Sequence, residues 1–235
     1  GGGLRNVQPI FEALPRISGG LHFGSRIVFD RAGLIYVTAG ERYQMQRAQR
    51  LDDLGGKVVR LRDDGSVPPD NPFVGRAGVR PEIFSYGHRN PQGMAMNPAT
   101  GRIWLVEHGP RGGDELNLLK AGANYGWPLA THGIDYSGSV ISPNKSLPGM
   151  EDPVRVWVPS ISPSGLAFYT GDRFPGWKGS VFTGALSNNA LFRIELDGER
   201  YVGEERLLVD LLPYIRGVLQ CPDGLIYVVT HTDSG

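Results

Sequence analysis

The chain has 235 residues, with 24 Lys plus Arg set against 24 Asp plus Glu and no formal net charge. That balance excludes the basic stripe of a nucleic-acid binder and the acidic run of a solvating tail. No apolar run reaches transmembrane length, no stretch reads as a signal peptide, and Cys221 alone leaves no intrachain disulfide.

Gly and Pro number 34 and 18, about 22% of the chain, against roughly 12% in average usage. The excess predicts many tight turns, and the elements follow in order. RIVFDRAGLIYVTAG (26–40) reads as two apolar strands around an Asp/Gly turn, and 43–54 as a short helix in a loop. KVVRLRDDGS (57–66) is a further strand. MAMNPATGRIWLVEHG (94–109) repeats the hairpin. VRVWVPS (154–160) is a strand, GLAFYTGDRFPGWKGSVFTGAL (165–186) a hairpin with a longer turn, and NALFRIELDG (189–198) another strand. GVLQCPDGLIYVVTH (217–231) is the fourth hairpin. No segment sustains helical apolar spacing.

The fold class expected is therefore all-β: a β-propeller of four-stranded antiparallel blades, with about four blades represented. A two-sheet sandwich is the alternative. Residues 1–235 read as a single propeller domain. Its ends, Gly1-Gly2-Gly3 and Asp233-Ser234-Gly235, lead us to expect that it is incomplete on both sides.

Chemistry concentrates in two turn-rich motifs, GHRNPQG (87–93) and EHGPRGGDE (107–115). In the first, Arg89 offers a planar fork of donors suited to a carboxylate or a developing oxyanion. In the second, Glu107, Asp114 and Glu115 are side-chain oxygen ligands, and Gly109 and Pro110 bring carbonyls, a donor set suited to Ca²⁺. Taken alone, these are a turn whose Arg pairs with a carboxylate and an acidic surface loop. His22 in GGLHFGSRIVF, taken alone, is a structural or exposed histidine. NYGWP (124–128) and GIDYSG read as an aromatic turn and a loop aromatic.

Together these motifs resemble the soluble pyrroloquinoline quinone (PQQ)-dependent aldose and glucose dehydrogenases, the glucose/sorbosone dehydrogenase family, over nearly the whole chain. KVVRLRDDGSVPPDNPF (57–73) also matches it. The resemblance implies a six-bladed propeller that oxidises an aldose at C1 to the lactone, with hydride passing to PQQ and electrons to an external acceptor. It implies His22 as the general base, and Arg89 as the group that stabilises the quinone oxyanion. PQQ contacts are implied for Arg89, Asn90, Gln92, Tyr136, Ala185, Leu186, Ser187, Tyr214, Ile215 and Arg216. Ca²⁺ is implied at Glu115 and the backbone of Tyr125, with a second ion at the carbonyls of Gly109 and Pro110 acting as a Lewis acid. A periplasmic or secreted location is implied too.

The chain departs from the family at several points. Leu21 stands between Gly20 and His22. Ser187 takes the place of a Lys, Tyr214 that of an Arg, and a cofactor-contacting Gln from an earlier blade has no counterpart. Two fewer cations beside a tri-anionic cofactor predict weaker or reoriented binding. Two other readings stand beside this one: a calcium-dependent lactonase-type propeller, which needs acidic ligands gathered from several blades, and a non-enzymatic binding propeller.

Overall fold

The computed structural model describes residues 3, 5–187, 189–210 and 214–231. Gly1, Gly2 and the Asp233–Gly235 end lie outside the described residues, as do Asn188 and Pro213 of two candidate site segments.

Among the described residues, fourteen strands lie in four sheets, each a simple antiparallel meander. The first sheet holds β1 (Gly24–Phe29), β2 (Ile35–Ala39), β3 (Lys57–Leu61) and β4 (Ile83–Tyr86). The second holds β5 (Pro91–Met96), β6 (Ile103–Glu107), β7 (Asp114–Leu118) and β8 (Arg155–Trp157). The third holds β9 (Pro163–Phe168), β10 (Val181–Ala185), β11 (Leu191–Asp197) and β12 (Arg200–Leu207). The last pairs β13 (Tyr214–Gln220) with β14 (Ile226–His231). The expected propeller of four-stranded blades is what forms: three blades and a two-stranded sheet. All four sequence hairpins are present. The short helix expected over 43–54 is a 3-10 turn at Met45–Gln49.

Three of the four hairpins share one local device. Asp30 Oδ1 accepts from the backbone N of Ala32 and Leu34, both at 2.9 Å. Asn97 Oδ1 accepts from Ala99 N and Asp223 Oδ1 from Leu225 N, each at 2.9 Å. A short side-chain oxygen that mimics the backbone closes each turn without tertiary help. This is why the repeat is visible in the sequence.

The core lies between blades. Tyr36, Val58, Phe84, Met94, Leu105 and Tyr125 pack the first blade on the second. Trp104, Val106, Leu116, Trp157, Phe168 and Phe192 pack the second on the third. Ile215 and Val218 of β13 pack on Tyr169, Phe182 and Leu191. The first strands β1, β5, β9 and β13 lie beside one another in succession around the axis. They approach closely. Gly165 sits at φ +74°, and a Cβ there would stand 2.8 Å from Val218 N; a Cβ on Gly93 would stand 2.6 Å from Gly165 O. Only glycine allows both the conformation and the approach.

The acidic motif differs from its sequence reading as a loop. Glu107 ends β6, residues 108–113 turn, and Asp114 opens β7. All three of its carboxylates thus stand on adjacent paired strands, with Glu107 opposite Glu115.

Candidate active site

The residues just before β1, β5 and β9 line two adjoining cavities. His22 precedes β1. Its Nδ1 lies 2.6 Å from Glu41 Oε1, at the exit of β2. Glu41 is 1% exposed, and its other oxygen accepts from Gln44 N. The Tyr43 ring meets the imidazole edge-on, centroids 5.2 Å apart. Arg42 donates to Leu21 O at 2.9 Å and to Gly19 O, bracing the loop that carries His22. His22, Arg42 and Tyr43 all have positive φ, at 53°, 63° and 61°. Such left-handed backbone in non-glycine residues costs energy and clusters at functional sites.

Arg89 precedes β5. It is 4% exposed. Its Nη1 donates to Gly109 O at 2.5 Å and His108 O at 3.2 Å. Its backbone N donates to Glu107 Oε2 at 2.8 Å. The guanidinium lies 5.2 Å from the Trp127 ring and 5.9 Å from the Tyr136 ring, within cation–π reach. Arg89 Nε is buried with no hydrogen-bond partner among the described residues. A buried donor left open beside two aromatic faces is suited to a planar anionic ligand.

Two adjoining cavities share Pro110 and Tyr136. The smaller, about 80 Å³, is lined by His22, Glu41, Tyr43, Arg89 and Trp127. The larger, about 590 Å³, is lined by His108, Gly109, Ser160, Ser162 and Ser187. The structure therefore brings together His22, Arg89, Tyr136, Gly109, Pro110 and Ser187.

Asn90 and Gln92 are committed to the scaffold. Asn90 Oδ1 accepts from Gly24 N at 3.2 Å and Gln92 Nε2 at 3.0 Å, tying the starts of β1 and β5. Leu186 is half-buried behind Ser187, its N donating to Ser162 O at 3.1 Å. Tyr214 packs beside His231, and Arg216 is exposed on β13. The side chains of Ala185 and Ile215 are fully buried in inter-blade core, and neither residue lines the two cavities.

Beneath Arg89, a small cavity is lined by Glu107, Gly109, Glu115, Tyr125 and Thr131. Asn117 Nδ2 donates to Glu107 Oε1 at 3.1 Å and to Glu115 Oε2 at 3.0 Å, so one amide serves two carboxylates. Burial, then the Glu107 charge, pushes the Glu115 carboxyl up to about 8. His88 Nδ1 meets Glu107 Oε1 at 2.8 Å and its ring stacks on Tyr125, centroids 4.6 Å apart. Two neighbouring carboxylates, Glu107 buried and Glu115 half-buried, with carbonyls beside them are a donor set of hard oxygens. The residues present fit a divalent cation of the Ca²⁺ type. They come from a single blade, unlike the multi-blade acidic cluster that the hydrolase reading requires.

Asp114 is committed to the scaffold as well. Its carboxylate accepts from Gly109 N (2.8 Å), Ser160 Oγ (3.1 Å), Ile161 N (2.8 Å) and Ser162 N (2.7 Å). Burial raises its carboxyl above the usual range against those donors. It is a clasp between the 108–113 turn and the entry to β9, with its acceptor sites already filled, rather than a metal ligand. Sequence reading passed over Glu41, Tyr43, Trp127 and His108. Only Glu41 had a local signal, an acid directly after a strand and a glycine.

Comparison with known proteins gives the same picture. The family description Glucose / Sorbosone dehydrogenase matches residues 1–235. The chain is 49% identical over 234 residues to the aldose sugar dehydrogenase YliI of Escherichia coli, covering 99% of this chain and 63% of that protein. A solved glucose dehydrogenase superposes with TM-score 0.95 at 53% identity, over 97% of this chain and 66% of that one. The PQQ-bound form of the aldose sugar dehydrogenase of Streptomyces coelicolor does so with TM-score 0.75 at 33% identity, over 92% and 58%. The chain thus spans 58% to 66% of the length of these relatives. On fold and on sequence, it belongs to the glucose/sorbosone dehydrogenase family.

Proposed function

We propose that this chain carries the catalytic face of a PQQ-dependent aldose dehydrogenase, which oxidises the sugar at C1 to the lactone and passes electrons to an external acceptor. One observation carries the reading: the His22–Glu41 pair and the Arg89 guanidinium line the same small cavity. A proton acceptor and a buried cation then face one bound molecule from two sides.

With Nδ1–H donating to Glu41, the Nε2 atom of His22 is the one left to take the proton of the C1 hydroxyl. Glu41 holds that tautomer and stabilises the imidazolium that forms. Arg89, aimed by the carbonyls of His108 and Gly109 and flanked by Trp127 and Tyr136, supports negative charge on a bound oxygen without reorganising. PQQ, held by Arg89, Trp127, Tyr136, Ser187 and Arg216, would supply the two-electron acceptor. Ca²⁺ would be held by Glu115, with Glu107 and the main chain of Tyr125, and a second ion by the Gly109 and Pro110 carbonyls. A periplasmic or secreted location suits such an enzyme. Among the described residues no helix is long and apolar enough to cross a membrane.

The test is reconstitution of the full-length protein with PQQ and Ca²⁺, following reduction of a dye with a panel of aldoses. Reduction that requires PQQ, and falls by orders of magnitude in His22→Ala and Arg89→Ala, is the expected result. Folded protein that takes up PQQ yet oxidises no aldose would overturn the reading.

A further inference from the structure

Tyr43 belongs to no motif of the sequence, yet it stands on the rim of the cavity that holds His22. The chain leaves β2 at Ala39 and is pinned at once to the site, where Glu41 N donates to Arg89 O at 3.0 Å. Gln44 N then closes a turn onto Glu41 O at 3.2 Å, with Arg42 and Tyr43 at its two central positions, φ 63° and 61°. A turn with two left-handed residues is normally built from Gly, Asn or Asp. Here it is built from arginine and tyrosine, at a cost of about 1 kcal/mol or more for each.

Arg42 has a structural use. It donates to Leu21 O at 2.9 Å, and its guanidinium lies 3.8 Å from the centre of the Phe23 ring. Tyr43 gains little from the fold in return for its strain. Its ring meets the His22 imidazole edge-on, while 55% of the residue stays exposed. Among the described residues its hydroxyl makes no hydrogen bond.

The cavity explains what such a ring could serve. At about 80 Å³ it has room for about three water molecules, less than a sugar ring with its hydroxyls fills. A sugar with its C1 hydroxyl at His22 therefore extends across the rim. That rim is apolar, with Tyr43, Met45 and Tyr136 all exposed. Tyr136 lines both cavities, whereas Tyr43 lines the smaller of the two, beside the base. The electron-rich face of an aromatic ring suits the polarised C–H bonds that a pyranose presents on its flat side.

We propose that Tyr43 is a substrate-recognition residue, its exposed ring forming the platform on which the C–H face of an aldopyranose lies while the C1 hydroxyl reaches His22. The inference rests on the sugar-oxidation reading above and assigns a specificity-determining side chain to it.

The experiment measures kcat and KM for the aldose that the full-length protein, loaded with PQQ and Ca²⁺, oxidises best. Wild type is compared with Tyr43→Ala, Tyr43→Leu and Tyr43→Phe, with equilibrium dialysis of PQQ and thermal melts alongside. Tyr43→Ala should raise KM about tenfold, the size of one aromatic contact, with kcat within about threefold and PQQ affinity within about twofold. Tyr43→Leu, which keeps bulk without a flat face, should behave as the Ala variant does, and it stands in if that variant does not fold. Tyr43→Phe keeps the ring and should bring KM back to within about twofold of wild type. A fall in kcat at unchanged KM would overturn the platform, leaving Tyr43 only to orient His22. Weakened PQQ binding would give the ring to the cofactor, and a Phe variant as poor as Ala would give the role to the hydroxyl; either result also overturns it. Wild-type protein that takes up PQQ and oxidises no aldose overturns the sugar reading itself, and the platform with it.

Discussion

Glu41 Oε1 lies 2.6 Å from His22 Nδ1, and the carboxylate is almost wholly withdrawn from water. The two residues are held on separate segments by strained left-handed backbone and by the Arg42 brace. Glu41→Gln keeps the shape, yet its amide can donate to Nδ1 and so favour the tautomer with the proton on Nε2. Turnover is expected to fall about 10³-fold, with PQQ affinity unchanged. Steady-state dye reduction beside a PQQ titration checks this. A variant with wild-type turnover removes the orienting role from Glu41.

Arg89 is expected to act through its fork, not its charge alone. Lysine would keep one positive charge but could not serve the His108 and Gly109 carbonyls while lying against Trp127 and Tyr136. Arg89→Lys should weaken PQQ about 10- to 100-fold, and Arg89→Ala further still. Dialysis with the full-length protein measures both. Wild-type affinity in the Lys variant would mean that a point charge suffices.

The propeller was legible because its hairpins are local. Asp30, Asn97 and Asp223 close their own turns between apolar runs. Strand β7 was hidden because it opens with Asp114 and Glu115 and buries Asn117; its place comes from pairing with β6. Strand β12, Arg200–Leu207, is an outer strand with mixed polar residues and no apolar run. His22 and Arg89 were visible through motifs, whereas Glu41 and Tyr43 meet His22 only through tertiary packing. Ala185 and Ile215 turn their side chains into the core, since on a strand each step in sequence reverses the face.

Asp114 and Glu115 are neighbours with opposite expected roles. Asp114→Ala leaves the N–H groups of Gly109, Ile161 and Ser162 without their acceptor. It should destabilise the fold by about 3–5 kcal/mol with or without Ca²⁺. Glu115→Gln removes one of two crowded carboxylates, so the metal-free protein should be no less stable. The rise in melting temperature on adding Ca²⁺ should then disappear. Thermal melts across a Ca²⁺ series separate the two. A Ca²⁺-dependent rise that survives in Glu115→Gln would place the ion elsewhere.

His108 sets an acid limit on stability. Burial, opposed by a hydrogen bond to the Pro163 carbonyl, holds its imidazole down to about 4, and the Arg89 charge adds to the depression. In the unfolded chain the same group titrates near 6.5. Between about 4 and 6.5 the unfolded state therefore binds the extra proton, and stability rises with pH through that window. Acidification from 6.5 towards 4 should cost on the order of 2 kcal/mol from this group alone, with no further loss from it below 4. His108→Gln, which retains an N–H for Pro163 O and cannot titrate, should flatten that part of the profile. Urea unfolding of both proteins at intervals from pH 4 to 7 is the measurement. Parallel profiles for the two would show that His108 is protonated in the folded protein as readily as in the unfolded chain.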